Sequence, residues 1–380
     1  MAMLPLLLLL AARQPIADLP MIESHGQVFV TGTVGNASGL HLALDTGAAR
    51  AVLDTRIAGK IGVEARGRGQ ASGAGGVVDT AVAHDVVVSL PGVPLGPLDL
   101  DVVPLEPISN QQGIPIALIL GYELFSRYVV ELDYEHCRLR LYDPTTYRTP
   151  PDAFSLPIDI VYNHPYVRAS VRSRGGKTVS GRFVIDLGSA QSVILTPRAV
   201  QQSEMLKDTP TRRGKGGGIG GEFDVHTGRM RSLSVGPFTV HDPLAILPLG
   251  GVLADAEDAV GNLGGGFLRR FRVVFDYSRR RMLLTPNSRF EESDEIDMSG
   301  LTLRAEGDGL REVSIAHVRA DSPAADAGLR AGDRILAVDG SPAGIALELR
   351  ERFRRAGPYR INVLRGDERI EVVLRTRRQI

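Results

Sequence analysis

The chain has 380 residues, 43% of them hydrophobic and 23% charged, enough for two or three domains with sizeable cores. Its 44 Lys and Arg balance 44 Asp and Glu, so the zero formal net charge offers nothing to attract nucleic acid. A single cysteine, Cys137, excludes an intramolecular disulfide and leaves the redox compartment open.

The run from Met1 to Ala12 is apolar, too short to span a bilayer, and fits the core of a secretory signal, although no basic residue precedes it. It predicts a leader over residues 1–20 and export to the periplasm or cell envelope. An N-terminal apolar strand and a cytoplasmic location form the alternative. No other segment reads as a transmembrane helix.

Val28–Val34, a turn at Gly35-Asn36 and Leu40–Leu44 read as a β-hairpin that runs into Asp45-Thr46-Gly47-Ala48. A Gly-rich stretch, Gly67–Gly76, follows, and then Ile119-Leu120-Gly121. His136 and Cys137 are neighbours on an expected strand and point to opposite faces, so they are not a nucleophile pair, and Cys137 reads as structural. Proline-rich Tyr142–Pro151 reads as a connector. Beyond it, Tyr166–Val171, a turn at Gly175-Gly176 and Phe183–Ile185 read as a second hairpin, running into Asp186-Leu187-Gly188-Ser189. A second Gly-rich stretch, Gly214–Gly221, and Asn262-Leu263-Gly264 come next.

These elements repeat. Leu42–Thr55 parallels Phe183–Thr196, with the aspartates 141 positions apart, and Gly121–Tyr134 parallels Gly264–Tyr277 at an offset of 143. A near-constant offset across two separated matches points to a duplicated β unit. Each aspartate falls where a strand ends and a tight turn begins, and Gly47 and Gly188 are expected to take backbone angles that a β-carbon would penalise. Two carboxylates meeting across a pseudo-twofold axis cannot both ionise easily, so the pair holds one proton. The ionised member can take a proton from a water while the other protonates a peptide carbonyl. The titration belongs to the pair, so neither residue alone is assigned the proton.

On these residues the chain resembles the pepsin and retropepsin superfamily of aspartic proteases, in particular bacterial retropepsin-like proteins, over about residues 25–286. Asp45-Thr46-Gly47-Ala48 matches the family's signature in full, Ile119-Leu120-Gly121 fits its later apolar-apolar-Gly element, and Asn262-Leu263-Gly264 fits it less well. The resemblance implies a mainly β protein with two tandem acid-protease lobes, residues 21–147 and 148–288. It implies catalytic Asp45 and Asp186, with Thr46, Gly47, Gly188 and Ser189 supporting the aspartate loops. It also implies two flaps, with Gly73, Gly75 and Gly76 in one and Gly217, Gly218, Ile219 and Gly220 in the other, as in a retroviral dimer fused in tandem. Leu187 stands where the family has Thr or Ser, whose hydroxyl locks the two aspartate loops together. Half of that lock is therefore expected to be missing, and a catalytically weakened or inactive peptide-binding scaffold is the alternative function.

Acidic residues 289–297 read as a linker to a third domain. From Met298 the pattern changes, and Asp321–Gly340, with its Ser-Pro-Ala, Ala-Gly-Leu and terminal Asp-Gly, resembles a bacterial PDZ domain, an α+β module over residues 298–380. Val313–Val318 reads as a strand, Ile345–Ala356 as a helix burying Leu347 and Phe353, and Ile361–Leu364 with Ile370–Leu374 as a final hairpin. The resemblance implies an extended peptide added at a sheet edge, its C-terminus captured near Gly300, Leu301, Thr302 and Leu303. The expected partners are therefore a protein or peptide substrate and a peptide C-terminus. No cofactor is expected. The eight histidines show no metal-ligand spacing, so no metal is expected either; His84 and His226 read as solvated residues near the flaps.

Overall fold

The computed structural model describes residues 14–250 and 259–380, so most of the apolar leader read from the sequence, residues 1–13, lies outside the described residues. Ala17–Pro20 is a strand paired antiparallel with residues 138–141, with Ala17 and Leu19 facing the core and Asp18 and Pro20 facing out. Among the described residues no helix is long and apolar enough to cross a membrane.

Each lobe is built on the same unit. In the first, the hairpin of Gln27–Val34 and Ala37–Leu44 turns at Gly35, and Ile116–Leu120 inserts parallel to Ala37–Leu44 and antiparallel to Val52–Asp54. All five residues of Ile116–Leu120 are buried, which explains why it reads as an unbroken apolar run rather than an alternating one. In the second lobe, His164–Arg172 pairs with Thr178–Asp186, and Ala259–Gly264 inserts parallel to Thr178–Asp186 and antiparallel to Val193–Leu195. The inserted strand passes beside the end of the aspartate strand in both lobes.

A six-stranded sheet joins the lobes, in the order Ala17–Pro20, Arg138–Tyr142, Val129–Asp133, Phe271–Asp276, Arg281–Pro286 and Phe154–Pro157. Its central pair, Val129–Asp133 with Phe271–Asp276, is the second repeated segment meeting its own copy antiparallel, with Val130 opposite Phe275 and Asp133 opposite Arg272. The duplication is therefore also the device that closes the two halves on each other. His136 and Cys137 lie in the turn after Val129–Asp133 rather than on a strand. Cys137 has φ +51°, and His136 Nδ1 lies 3.0 Å from Asp133 Oδ2.

Residues 289–297 are packed onto lobe 2 rather than hanging free. Arg270, 1% exposed, pairs with Asp294 at 2.6 Å and donates to the carbonyls of Phe290 and Glu292. Asp294 also accepts from Ser192 Oγ and from the Leu244 amide. A buried ion pair with this many partners fixes where the segment docks, even where its net contribution to stability is small.

The C-terminal domain has its own core, including Leu303, Ile315, Ile335, Leu349, Phe353 and Ile361. Its sheet runs in the order Leu301–Glu306, Glu312–Val318, Arg334–Val338, Gly357–Arg365 and Glu368–Thr376, so Leu301–Glu306 is an edge strand. The helix is shorter than the sequence pattern predicts, Ala346–Arg352, because Gly357-Pro358 already opens the next strand. Phe353 is buried in that core. Leu347 is not: it is half-buried and packs on a cluster belonging to lobe 1.

Candidate active site

Asp45 and Asp186 sit at matching positions, each just past or at the end of a strand whose neighbour is the inserted one. The Asp45 amide donates to Leu120 O at 3.0 Å. The Tyr122 amide donates to Ala48 O, and its counterpart, the Gly265 amide, donates to Ser189 O. The two loops face each other, with the Gly188 amide of one donating to Asp45 Oδ1 of the other and the two carboxyl groups acting on each other electrostatically. A β-carbon placed on Gly47 would lie 3.0 Å from Asp186 Oδ1 and 3.1 Å from Asp45 Oδ1; one on Gly188 would lie 2.5 Å from Asp45 Oδ2. The glycines are required because the carboxylates crowd them. Neither has a positive φ, so the backbone-angle reason expected from the sequence is not the operative one.

The Gly47 and Gly188 amides both donate to Asp45 Oδ1, at 2.7 and 3.2 Å. The lock across the loops is single-sided. Thr46 Oγ1 donates to Ile185 O at 2.6 Å and accepts from the Leu187 amide at 3.0 Å, bridging residues on either side of Asp186. Leu187 has no hydroxyl to return the favour and is wholly buried in the main core. Ser189 supports its loop through its carbonyl, while its hydroxyl is buried with no hydrogen-bond partner among the described residues. Gln27, which the sequence reading did not single out, adds a cross-lobe bond from its side-chain amide to Gly188 O at 2.5 Å.

The site is electrostatically asymmetric. Desolvation, reinforced by the Asp186 charge, pushes Asp45 up to about 8. Desolvation also raises Asp186, but there the Asn262 side-chain amide opposes it by donating to Oδ2 at 2.7 Å. Asn262 occupies the place that Ile119 holds in lobe 1, so the weaker fit of Asn262-Leu263-Gly264 to the family element marks a polar group aimed at the dyad. The sequence held that signal, but only the geometry gives it a meaning. In an Asn262→Leu variant, the pH at which Asp186 ionises, read by carbon-13 titration, is expected to rise by about one unit, since a hydrogen bond to the charged carboxylate is lost. An unmoved titration in a folded variant would contradict this.

Both Gly-rich stretches are hairpins: Ala65–Gly73 with Gly76–Leu90, and Thr211–Gly218 with Gly221–Arg229. Their tips meet. The Gly75 amide donates to Ile219 O at 2.9 Å. β-Carbons on Gly73, Gly75 and Gly220 would fall 2.2–2.4 Å from backbone atoms of the opposite tip. Gly76 lies at the turn of the first hairpin, Gly218 packs on Ala74, and Gly217 lies against the Gln111 side chain. His84 and His226 are on the strands of the two hairpins, His84 beside Asp99 and His226 bonded to Thr211 Oγ1.

In the C-terminal domain, Gly300 has φ +83° and precedes the edge strand formed by Leu301, Thr302 and Leu303. The amides of Ser299 and Gly300 donate to Asp297 Oδ1 at 3.1 and 2.8 Å, and the Leu301 amide donates to Ser299 Oγ. The loop expected to receive an incoming carboxylate thus already holds one of the chain's own. Among the described residues no cluster of His, Cys, Asp and Glu is placed to hold a metal ion.

A PDZ domain model matches residues 314–351. Among solved structures, the aspartic proteinase from Irpex lacteus is similar at 14% identity, over 73% of this chain and 99% of its own, with a TM-score of 0.47. The HtrA3 PDZ domain bound to a phage-derived ligand is similar at 23% identity, over 21% of this chain and 83% of its own, with a TM-score of 0.20. No curated protein matches. The aspartyl protease model matches residues 30–124 and 167–267, one stretch in each lobe and together just over half of the chain. Both aspartate loops fall inside those stretches, and the chain accordingly belongs to the aspartyl protease family and carries a PDZ domain after the second lobe.

Proposed function

We propose that the protein is an aspartic endopeptidase in which Asp45 and Asp186 activate one water, with the PDZ domain binding substrate or partner peptides. The observation that carries this reading is a pair of buried carboxyl groups facing each other across the lobes, both held up by desolvation, with the Asn262 amide opposing that rise at Asp186 alone. Asn262 favours Asp186 as the ionised member, so Asp186 takes a proton from the water as its oxygen attacks the peptide carbonyl carbon. Asp45, kept protonated by burial and by its neighbour, gives its proton to the carbonyl oxygen, leaving a neutral tetrahedral diol. Asp186 then passes its proton to the amide nitrogen, one diol hydroxyl returns its proton to Asp45, and cleavage of the C–N bond releases an amine and an acid with the dyad restored and no covalent bond to the enzyme.

The test is digestion of an unfolded protein in water enriched in oxygen-18. One heavy oxygen in each new carboxyl group, with no trapping of an acyl-enzyme by added amines, is the expected outcome. A trapped acyl intermediate would rule the mechanism out.

The flaps supply the second element of the reading, since their meeting closes the cleft over the dyad. Gly75→Val would push a side chain into the Gly221 backbone, which stands 2.2 Å from the β-carbon position. It is expected to lower kcat/KM about tenfold or more with little change in unfolding free energy. Equal kcat/KM in the variant would remove the flaps from the account.

Leu187 favours a second reading, a peptide-binding scaffold that no longer cleaves. Restoring the hydroxyl with Leu187→Thr separates the two. An inert wild type together with an active variant supports the scaffold, and efficient cleavage by wild type defeats it.

A further inference from the structure

The PDZ edge strand Leu301–Glu306 and the helix Ala346–Arg352 form a groove that is already filled. Lobe 1 lays the C-terminal end of its helix Glu106–Gln112 between them. A β-carbon on Gly113 would stand 3.2 Å from Ala346 Cβ and 3.8 Å from Ala305 Cβ, one atom from each wall. Arg350 ties the three parts together, donating to Gln112 O at 3.0 Å and to Leu303 O at 2.9 Å. Leu303 O is the kind of edge acceptor that an added peptide strand would need. The neighbouring carboxylate loop is filled as well, by Asp297.

The same lobe 1 segment touches the protease flap. Gln111 lies against Gly217, and Ile108, Ile219 of the flap tip and Leu347 of the PDZ helix pack on one apolar cluster. The strand Ile116–Leu120, which binds the Asp45 amide, starts just beyond Gly113, and its first amide donates to Ser109 Oγ of the helix. The base of the same flap is held too: Arg212 Nε donates to Gln379 O at 2.7 Å, and the Gln379 side-chain amide donates to Met298 O. The groove, the helix and the second flap thus form one continuous set of contacts.

We propose that the PDZ groove is a cis-occupied latch: residues 111–113 of lobe 1 fill it, an extended peptide with a free C-terminus must displace them to bind, and displacement releases the second flap. The latch does not depend on turnover by the dyad. The groove presents a backbone acceptor and apolar walls, so the displacing ligand is an extended peptide with an apolar terminal residue.

Leu347→Glu in the full chain tests this, because Leu347 faces lobe 1 and leaves the PDZ core of Leu349 and Phe353 intact. The probe is a pool of synthetic decapeptides ending in Val, Leu, Ile or Phe with free carboxyl groups. The expected result is binding at least tenfold tighter to Leu347→Glu than to wild type, with amide exchange at 106–113 and 214–221 at least tenfold faster in the variant. Slow exchange in 357–376 controls for a folded PDZ domain. Equal affinity, absent binding to both, or unchanged exchange at the flap would each overturn the proposal. The pair Gly113→Cys with Ala305→Cys gives a check that requires no undocking. At a 3.8 Å β-carbon separation a disulfide is expected to form and to suppress peptide binding until reduced. Failure to cross-link in a folded chain, or binding unaffected by the cross-link, would count against the latch.

Discussion

Replacing Asp45 by Asn is expected to lower kcat for peptide cleavage by about 10²–10⁴-fold while making the fold more stable at neutral pH. The two effects share one cause. Asp45 is surrounded by protein, and its only charged neighbour in the dyad is another carboxylate, so ionising it is opposed and its proton is held to about pH 8. In the unfolded chain an aspartate ionises near 4. A carboxyl group whose pKa rises on folding contributes stability in full below the unfolded value and loses it as pH climbs through the folded one. The wild type therefore loses stability between about pH 4 and pH 8. Asparagine keeps the shape, carries no proton to lose, and escapes that penalty. Thermal melting is expected to show Asp45→Asn ahead of wild type at pH 7 and level with it at pH 4. A variant that melts lower than wild type at pH 7 would show that the carboxylate is not under strain, and unchanged cleavage would remove Asp45 from the chemistry.

Thr46→Val is expected to destabilise the protein by about 2–5 kcal/mol and to cost more activity than its distance from the substrate would suggest. Thr46 is 1% exposed, and its hydroxyl reaches across to both Ile185 O and the Leu187 amide. Valine matches threonine in shape, so nothing is repacked; what is lost is the partner of two buried backbone groups, each costing about 1–3 kcal/mol when left unmade. In a lobe pair with hydroxyls on both sides the loss would be shared. Here Leu187 offers none, so among side-chain donors the cross-lobe hold on the Asp186 loop falls to Thr46 and Gln27, beside the Gly188 amide bond to Asp45. Chemical denaturation read by fluorescence measures the stability term. A cost under about 0.5 kcal/mol would mean that the loops are held by packing alone.

Much of this was written in the chain. The duplication, the paired aspartate turns, both hairpins of each lobe and the Gly-rich flaps follow from residue patterns that are local and periodic. What the sequence concealed depends on contacts between distant segments. Asn262 is a weak match to a motif until its amide is seen 2.7 Å from Asp186. Gly47 and Gly188 look like turn glycines but are needed for room beside the carboxylates. Residues 289–297 look like a linker because acidic stretches are usually solvated, yet Asp294 is buried against Arg270. Leu347 follows the helical period of a core residue, and only the docking of lobe 1 shows which core it serves. Ala17–Pro20 pairs as a strand at the edge of the interlobe sheet, a contact with residues 138–141 that no local pattern announces.

The most direct test of the shared proton is a carbon-13 titration of the aspartate carboxyl groups, with Asp45→Asn and Asp186→Asn identifying the two resonances. One member of the pair is expected to remain protonated up to about pH 8 while its partner ionises well below that. Two resonances that both titrate near pH 4 would show two independent surface-like acids and would contradict the mechanism at its root.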